Sequence, residues 1–285
     1  ESLPVRLFSD LNLTTTSQQW PLINSWDPSS SSLWTSLFGD NPLAGWTITG
    51  VGDINDDGFE DLAISLPCSS SIALGNGLLI VLYGRHDLSP SHPFPDLYWV
   101  AEAYGLLISG TSQYQAIGIR VSGGCDVNND GVQDLIIGCV GTTDDLLHAS
   151  QAALYILFGR KDGWEGGALS TSDLRGEFGV TITPGTDSTP LTGSFSGAIQ
   201  CVKDFNKDGI DDVMVSDYQA DYSSGRVWLL WGRSHWPGFI NISSSSSFDG
   251  ITFINGNHQD YLGHDVKSLD FNDDGNTDLA IGAPL

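Results

Sequence analysis

One nine-residue pattern, D-x-N-x-D-G-x-x-D, occurs four times in this chain, and a regular repeat of this kind limits the architectures open to it. Each copy is followed at once by a short apolar run such as Leu62-Ala63-Ile64, which is too short for a helix and rich in strand-forming residues. The pattern therefore predicts loops that join pairs of strands. The copies are called loops 1 to 4, each with positions 1 to 9, and they span residues 53–61, 126–134, 204–212 and 270–278.

Two further signals recur around the loops. A second strand signal ending in Gly-Arg follows each of the first three loops, at 78–85, 153–160 and 227–233, and the sequence stops at Leu285 before a fourth one. We expect a single domain over 1–285, with an N-terminal strand and Ser-rich segment at 1–35 and repeats at about 36–104, 105–184, 185–250 and 251–285. A glycine also lies seven or eight residues upstream of each loop: Gly45, Gly118, Gly197 and Gly263.

Composition favours the same fold class and excludes one class of partner. The chain has 34 glycines among 285 residues, and its hydrophobic content of 40% is enough for a core, so we expect an all-β protein with many short strands. Thirty-five acidic residues against eleven basic ones give a formal charge of −24. Nucleic-acid binding is therefore excluded, because phosphates are bound by clusters of Lys and Arg.

The loops carry the chemistry of a calcium site. Oxygen-bearing side chains at positions 1, 3, 5 and 9 can converge if the backbone curls tightly, and the glycine at position 6 permits that turn. The backbone carbonyl at position 7 would add one more oxygen. Without Cys or His among the ligands, Ca²⁺ is favoured over zinc or copper, with about four ions per chain. The predicted ligands are Asp53, Asn55, Asp57, Phe59 and Asp61; Asp126, Asn128, Asp130, Val132 and Asp134; Asp204, Asn206, Asp208, Ile210 and Asp212; Asp270, Asn272, Asp274, Asn276 and Asp278.

Two other interpretations of the loops are weaker. Polar turns without metal would also use Asp, Asn and Gly, but four copies in register argue against chance. An EF-hand needs a bidentate Glu at position 12, where these repeats have apolar residues such as Ile64 and Val215. Lys207 lies inside loop 3, so we expect that site to be the weakest. Because neighbouring carboxylates repel one another, we also expect calcium to stabilise the fold.

Several features indicate a secreted or cell-surface protein. The glycosylation sequons begin at Asn12 and Asn241. Apolar runs are far shorter than the roughly 20 residues of a membrane helix, so we expect no membrane span in this chain. The chain opens with Glu1, which fits a processed protein. The cysteines allow three pairings, and at least one disulfide would fit an extracellular setting: Cys68, Cys125, Cys139 and Cys201.

The pattern closely resembles the FG-GAP repeats at the head of integrin α subunits, which also occur in a glycosylphosphatidylinositol-cleaving phospholipase D. Besides the loops, the resemblance rests on Phe195-Ser196-Gly197, Tyr261-Leu262-Gly263 and Gly282-Ala283-Pro284, and it covers about 36–285. It implies a calcium-binding β-propeller with four-stranded blades, at least four of them here and the last incomplete, whose calcium loops lie on one face. It does not imply catalysis, since the phospholipase carries its catalytic zinc domain outside the repeats.

Three functions follow as expectations. The first is a non-catalytic extracellular calcium-binding propeller that serves adhesion or protein–protein interaction, because the six histidines are scattered and no nucleophile motif accompanies them. The second is a glycan-binding propeller, in which some of the nine tryptophans stack on sugars. The third is a self-assembling subunit of an extracellular filament or coat, in which the strand-like run at 4–10 pairs with the incomplete last blade of a neighbouring copy. The alternative for this run is that it completes the last blade of its own chain.

Overall fold

The computed structural model describes residues 45–67, 76–85, 105–112, 115–139, 153–164, 167–183, 197–242, 250–254 and 257–284. Within these ranges the chain forms sixteen strands and one short helical turn, which confirms the all-β class. The strands are β1 (Ile48–Gly52), β2 (Asp61–Leu66), β3 (Leu78–Leu82), β4 (Gly105–Ser109), β5 (Arg120–Cys125), β6 (Asp134–Gly138), β7 (Leu154–Leu157), β8 (Ala168–Ser170), β9 (Gly179–Thr183), β10 (Ile199–Val202), β11 (Asp212–Asp217), β12 (Arg226–Leu230), β13 (Phe239–Asn241), β14 (Gly250–Ile254), β15 (Val266–Leu269) and β16 (Asp278–Ile281). The helical turn is α1 (Ala220–Ser223).

The strands form four sheets, and their order along the chain follows the repeats. Sheet 1 is the antiparallel meander β1-β2-β3-β4, sheet 2 is β5-β6-β7-β9, and sheet 3 is β10-β11-β12-β14. Sheet 4 consists of β15 and β16 within the part of the chain that the structure describes. In every sheet one of the acidic loops joins the first strand to the second, as the sequence predicts.

Two short strands connect neighbouring repeats. β8 lies beyond β7 in sequence but pairs in parallel with β4 of sheet 1, and β13 follows β12 but pairs in parallel with β9 of sheet 2. Each of these sheets therefore has a fifth strand that comes from the following repeat. β4 begins at Gly105, where the second repeat is expected to start, and it pairs with β3 of sheet 1. No motif in the sequence marks this fourth strand.

The first strands of successive sheets lie side by side, β1 against β5, β5 against β10 and β10 against β15. Apolar side chains fill the space between each pair of sheets. Val51 and Val81 of sheet 1 pack with Leu135 of sheet 2, and Ile136 of sheet 2 packs with Val213 of sheet 3. Full burial of such a side chain is worth roughly 1.5–3 kcal/mol, so these interfaces hold the sheets together.

A disulfide adds a covalent link between two sheets. It joins Cys125 at the end of β5 to Cys201 in β10, with the Cα atoms 5.9 Å apart. Cys139 is buried and forms no disulfide with another described cysteine, and Cys68 lies outside the described residues. The described residues contain no helix that is long and apolar enough to span a membrane.

Some sequence predictions concern residues that the structure does not describe. The N-terminal segment 1–35 is among them, with its strand-like run at 4–10 and the sequon at Asn12. The second sequon residue, Asn241, is the last residue of β13 and has an exposed side chain. Glycosylation therefore remains a prediction at both positions.

Candidate metal centre

The four loops share a left-handed backbone turn at positions 4 and 6. Position 6 is a glycine with φ between 80° and 92° in every loop, a region that side chains with a Cβ rarely adopt. Position 4 is also left-handed, and its residue is Asp or Asn in three of the loops, which tolerate this conformation best. Loop 3 has Lys207 there instead, with φ 63°. The position 4 angles in the other loops are 55° at Asp56, 59° at Asn129 and 58° at Asp273.

The carboxylate at position 1 closes the loop. Asp53 Oδ1 accepts the N–H of Asp57 at 3.0 Å, and its Oδ2 accepts the N–H of Gly58 at 2.8 Å. Asp126 and Asp270 accept the corresponding pairs of N–H groups in loops 2 and 4. These side chains therefore turn toward the centre of their loops, which is the orientation that a ligand of a bound cation needs.

Positions 3 and 5 form a second shared contact. In loop 1 the Asn55 Nδ2 donates to Asp57 Oδ2 at 2.9 Å, and Asp57 Oδ1 accepts the N–H of Phe59 at 2.9 Å. Both bonds recur in the other three loops. The structure thus brings the side chains at positions 1, 3 and 5 together in one small loop, and their role as calcium ligands stays a prediction.

Position 9 has a different environment from the other acidic positions. Asp61 is 2% exposed, and its Oδ2 accepts the N–H of Ile54 while its Oδ1 accepts the N–H of Gly84. Asp134 and Asp212 are fully buried and make the same two bonds in their own loops. In loops 1 to 3 the position 9 carboxylate therefore ties its loop to the end of the third strand of the same sheet. Sequence reasoning treated it as a ligand and did not anticipate this role.

Burial shifts the titration of these aspartates. Because desolvation disfavours the ionised form, the pKa of Asp61 rises to about 7, that of Asp134 to about 8 and that of Asp212 to about 6. The two N–H bonds to each carboxylate oppose this effect and lower the pKa, whereas the neighbouring loop carboxylates add to it. A cation in the loop would favour the ionised form.

The Gly-Arg signal has a structural explanation. Its glycine donates to the position 9 carboxylate of its own loop, and a Cβ on Gly159 would overlap the carbonyl oxygen of Gln133 in that loop. Its arginine donates a backbone N–H to the preceding loop: Arg160 N–H to Ile54 O at 3.0 Å, and Arg233 N–H to Val127 O at 2.9 Å. The dipeptide therefore contacts two loops at once.

Side chains at position 8 also connect neighbouring loops, and sequence reasoning missed them. Gln133 Oε1 accepts the N–H of Asp53 at 2.9 Å, and Asp211 Oδ2 accepts the N–H of Asp126 at 3.0 Å. In loop 4, Thr277 Oγ1 donates to the carbonyl oxygen of Lys203, next to the start of loop 3. The available signal was that position 8 is polar in every copy although the motif leaves it open.

Loop 3 departs from the shared arrangement. Asp204 has φ 28°, and its Oδ1 is buried without a hydrogen-bond partner. Among the described residues, no N–H of loop 3 bonds to the Asp204 carboxylate. The Asp208 N–H donates only to Asn206 Oδ1, a bond that loops 2 and 4 also make at these positions. Loop 3 therefore lacks the closing contacts of the other loops, and the expectation that it is the weakest site stays a prediction.

The donor set suits a hard cation. The side-chain donors predicted as ligands are all oxygens, and in loop 1 the Asn55 Oδ1 is buried without a partner, as is Asp204 Oδ1 in loop 3. Unpartnered buried oxygens at two predicted ligand positions are compatible with coordination of a cation. Across the part of the chain that the structure describes, however, no three His, Cys, Asp or Glu side chains form a metal-binding group. The calcium ligand set therefore stays a prediction.

Other candidate residues lie apart from the loops. His258 stacks beside the exposed Tyr222, and His264 contacts Tyr218. His86, His92 and His148 lie outside the described residues. Of the described tryptophans, Trp164 and Trp228 are buried and Trp46 is half exposed.

No family model matches the sequence. The chain is similar to integrin alpha chains. It is 23% identical to integrin alpha pat-2 of Caenorhabditis elegans over 249 residues, which cover 86% of this chain and 18% of that protein. It is 32% identical to integrin alpha-4 of Xenopus laevis over 111 residues, which cover 39% of this chain and 9% of that protein.

A second kind of relative is also similar. Phosphatidylinositol-glycan-specific phospholipase D of Bos taurus is 34% identical over 120 residues, 42% of this chain and 14% of that protein. The chain therefore spans less than a fifth of the length of each of these relatives. The similarity supports the integrin-alpha-like, FG-GAP resemblance inferred from the loops.

Proposed function

We propose that this chain is a non-catalytic, calcium-binding β-propeller module of an extracellular protein, and that it serves adhesion or another protein–protein interaction. The observation that carries the proposal is that four loops with one sequence pattern share a backbone turn and direct oxygen side chains inward. The similarity to integrin alpha chains supports the adhesion role and the extracellular location.

The sheet arrangement supports the propeller. Three successive four-stranded meanders stack through their first strands, with apolar side chains between them, and a fourth sheet begins in the same way. Radial repetition of such sheets around an axis is the definition of a propeller. The acidic loops then all lie at the same end of the sheets, because each one joins the first strand to the second.

The proposed calcium ligands in each loop are the oxygens at positions 1, 3, 5 and 9 and the carbonyl at position 7. The bound ion would supply positive charge that offsets the repulsion among three carboxylates within one nine-residue loop. The chain contributes the turn at positions 4 and 6, which brings these oxygens together, and the buried position 9 carboxylate, which anchors the loop to its sheet. The loops would thereby stiffen the end of the module that carries them.

Calcium-dependent stability tests the metal proposal. We expect the melting temperature to fall by several degrees in chelator and to recover when calcium is restored, because a ligand that binds only the folded state stabilises it. Asp57→Asn, which removes a predicted ligand charge, should reduce the number of bound ions in equilibrium dialysis by about one. Asp56→Asn is the matched control, since Asp56 is exposed at position 4, outside the ligand set. Identical melting curves with and without chelator would overturn the proposal.

Adhesion is tested separately. We expect the module to bind an extracellular protein ligand on a coated surface in calcium and to release it in chelator. Binding that is unchanged in chelator would show that the loops do not support the interaction.

The glycan-binding alternative draws less support from the structure. Trp164 and Trp228 are buried, and Trp236 donates its Nε1–H to Val127 O while its ring lies under Arg233. These described tryptophans pack within the module instead of forming an open stacking surface. Binding on a glycan array that is lost in Trp46→Ala would favour the alternative, because Trp46 is 50% exposed.

A further inference from the structure

A side chain from a later loop bonds to the loop that precedes it in sequence, and this arrangement recurs along the chain. The position 8 side chain of each later loop reaches the start of the loop before it: Gln133 bonds the N–H of Asp53, and Asp211 bonds the N–H of Asp126. Asp53 and Asp126 are the first residues of loops 1 and 2, and their carboxylates accept the N–H pairs that close those loops. A position 8 side chain therefore holds the backbone of a residue predicted to bind calcium in a different repeat.

The surroundings of Gln133 are shaped for this contact. Gly52 precedes Asp53 with φ 75°, and a Cβ at that position would overlap the Gln133 side-chain oxygen. The absence of a side chain at Gly52 thus admits the Gln133 amide to the Asp53 N–H. Gln133 itself is half-buried, and its loop follows loop 1 by more than seventy residues in sequence.

Asp211 is held in place from two sides. Its backbone N–H donates to Asp126 O at 3.3 Å while its Oδ2 accepts the Asp126 N–H, so the two residues form a two-point contact. Lys203 Nζ lies 2.6 Å from the same Oδ2 and also donates to Gly124 O. The carboxylate of Asp211 therefore sits between the start of loop 2 and a lysine of its own repeat.

We propose that Gln133 and Asp211 are positioning residues for the preceding loop, so that calcium binding by loop 1 depends on Gln133 and calcium binding by loop 2 depends on Asp211. The inference rests on the proposed calcium function. Loop 4 forms its own closing N–H pair without a following loop among the described residues, so the contact adjusts affinity and is not a condition for the loop conformation. The loss of one such hydrogen bond corresponds to a decrease in affinity of roughly tenfold.

Site-resolved hydrogen exchange across a calcium titration tests this assignment, with peptides that cover loop 1 and loop 2 followed separately. In Gln133→Ala we expect the calcium concentration that protects loop 1 to rise about tenfold. Loop 2, which contains Gln133, should respond as in the wild type. In Gln133→Glu, whose carboxylate can accept the same N–H, loop 1 should recover. Glu60→Ala is the matched control, because Glu60 is exposed at position 8 of loop 1 and no loop precedes it in the described part of the chain.

Asp211 allows an independent test in loops 2 and 3. Asp211→Ala should weaken loop 2 and leave loop 3 as in the wild type, whereas Asp211→Asn keeps an acceptor oxygen for the Asp126 N–H and should preserve loop 2. A substitution that disturbs its own loop and leaves the preceding one unchanged would overturn the positioning role.

The two proposals fail in distinguishable ways. If the wild type shows calcium-dependent protection and Gln133→Ala leaves loop 1 unchanged, the positioning role is wrong while the calcium function stands. If calcium protects no loop of the wild type, the calcium function fails, and exchange in chelator decides the positioning role. Faster exchange around Asp53 in Gln133→Ala, with loop 2 unaffected, would still support it, and unchanged exchange would overturn it.

Discussion

The buried aspartates at position 9 show how single residues connect a loop to its sheet. Asp61 and Asp134 each accept two backbone N–H bonds, one from their own loop and one from the glycine that follows the third strand. Bonds of this kind compensate for the removal of a carboxylate from water only in part, and the pKa values of both groups stay raised. These residues therefore make the stability of the metal-free protein sensitive to pH.

In chelator, we expect the melting temperature to be higher near pH 5 than near pH 8. A carboxyl group whose pKa is raised in the folded state contributes stability that is fully present below its unfolded pKa, about 4, and lost as pH rises through the folded values, about 7 for Asp61 and about 8 for Asp134. Differential scanning calorimetry measures the effect, and Asp134→Asn should flatten it because the amide does not ionise. A melting temperature that rises with pH in chelator would contradict this account.

The glycine of the Gly-Arg signal occupies a position with no room for a side chain. A Cβ at Gly159 would overlap the carbonyl oxygen of Gln133, whereas a Cβ at Gly50 in β1 would meet no atom within 4 Å. We expect Gly159→Ala to destabilise the fold by about 1–3 kcal/mol and Gly50→Ala to change stability by less than about 0.5 kcal/mol. Urea unfolding measures the free energy of unfolding of both variants. Equal values would show that loop 2 moves aside for the added methyl group without cost.

At the level of strands, the first strands of neighbouring sheets bring the loops together. β5 and β10 lie side by side, and the disulfide between Cys125 and Cys201 joins them directly before loop 2 and shortly before loop 3. The cross-link spans 76 residues of sequence. Because it closes so long a stretch of chain, it restricts the unfolded state strongly.

Removal of this disulfide should cost roughly 2–5 kcal/mol of stability. We expect the Cys125→Ala, Cys201→Ala double variant to melt well below the wild type in calcium. The variant should also become insensitive to reductant, while the wild type should lose stability when reduced. Cys139→Ala serves as a control for substitution of a buried thiol, since Cys139 forms no disulfide among the described residues. If reductant still lowers the melting temperature of the double variant, the loss of stability on reduction does not come from the Cys125–Cys201 disulfide.

For the molecule as a whole, the sheets stack through apolar interfaces while acidic loops gather at one end. Three such interfaces separate the four sheets of the described residues, and the chain carries a formal charge of −24. Apolar burial drives this stacking, and electrostatic repulsion opposes it. Bound cations would reduce the repulsion.

Salt should therefore stabilise the metal-free protein more than the calcium-loaded one. We expect the melting temperature in chelator to rise between about 0.05 M and about 0.5 M sodium chloride, because the shorter screening length weakens repulsion among the loops. In saturating calcium the same change in salt should have a smaller effect. Equal salt responses in the two conditions, measured by calorimetry, would argue against calcium in the loops.

Local sequence patterns are sufficient to predict the loops and the fold class of this protein. The glycine at position 6, the spacing of Asp and Asn and the short apolar runs predict the loops and the all-β class, since turns and short strands depend on nearby residues. The Gly-Arg signal was visible in the sequence as well, although its reason was not. Similarity to integrin alpha chains supports the family resemblance drawn from these motifs.

Only the tertiary structure decided which distant residues meet. Three features join residues that lie far apart in sequence: the contact of Gln133 with Asp53, the disulfide between Cys125 and Cys201, and the pairing of β4 with β3. The burial of Asp61 likewise depends on how the sheets stack, and with it the raised pKa. A sequence motif determines a loop by itself, but hydrogen bonds and burial between repeats exist only once the repeats have packed against one another.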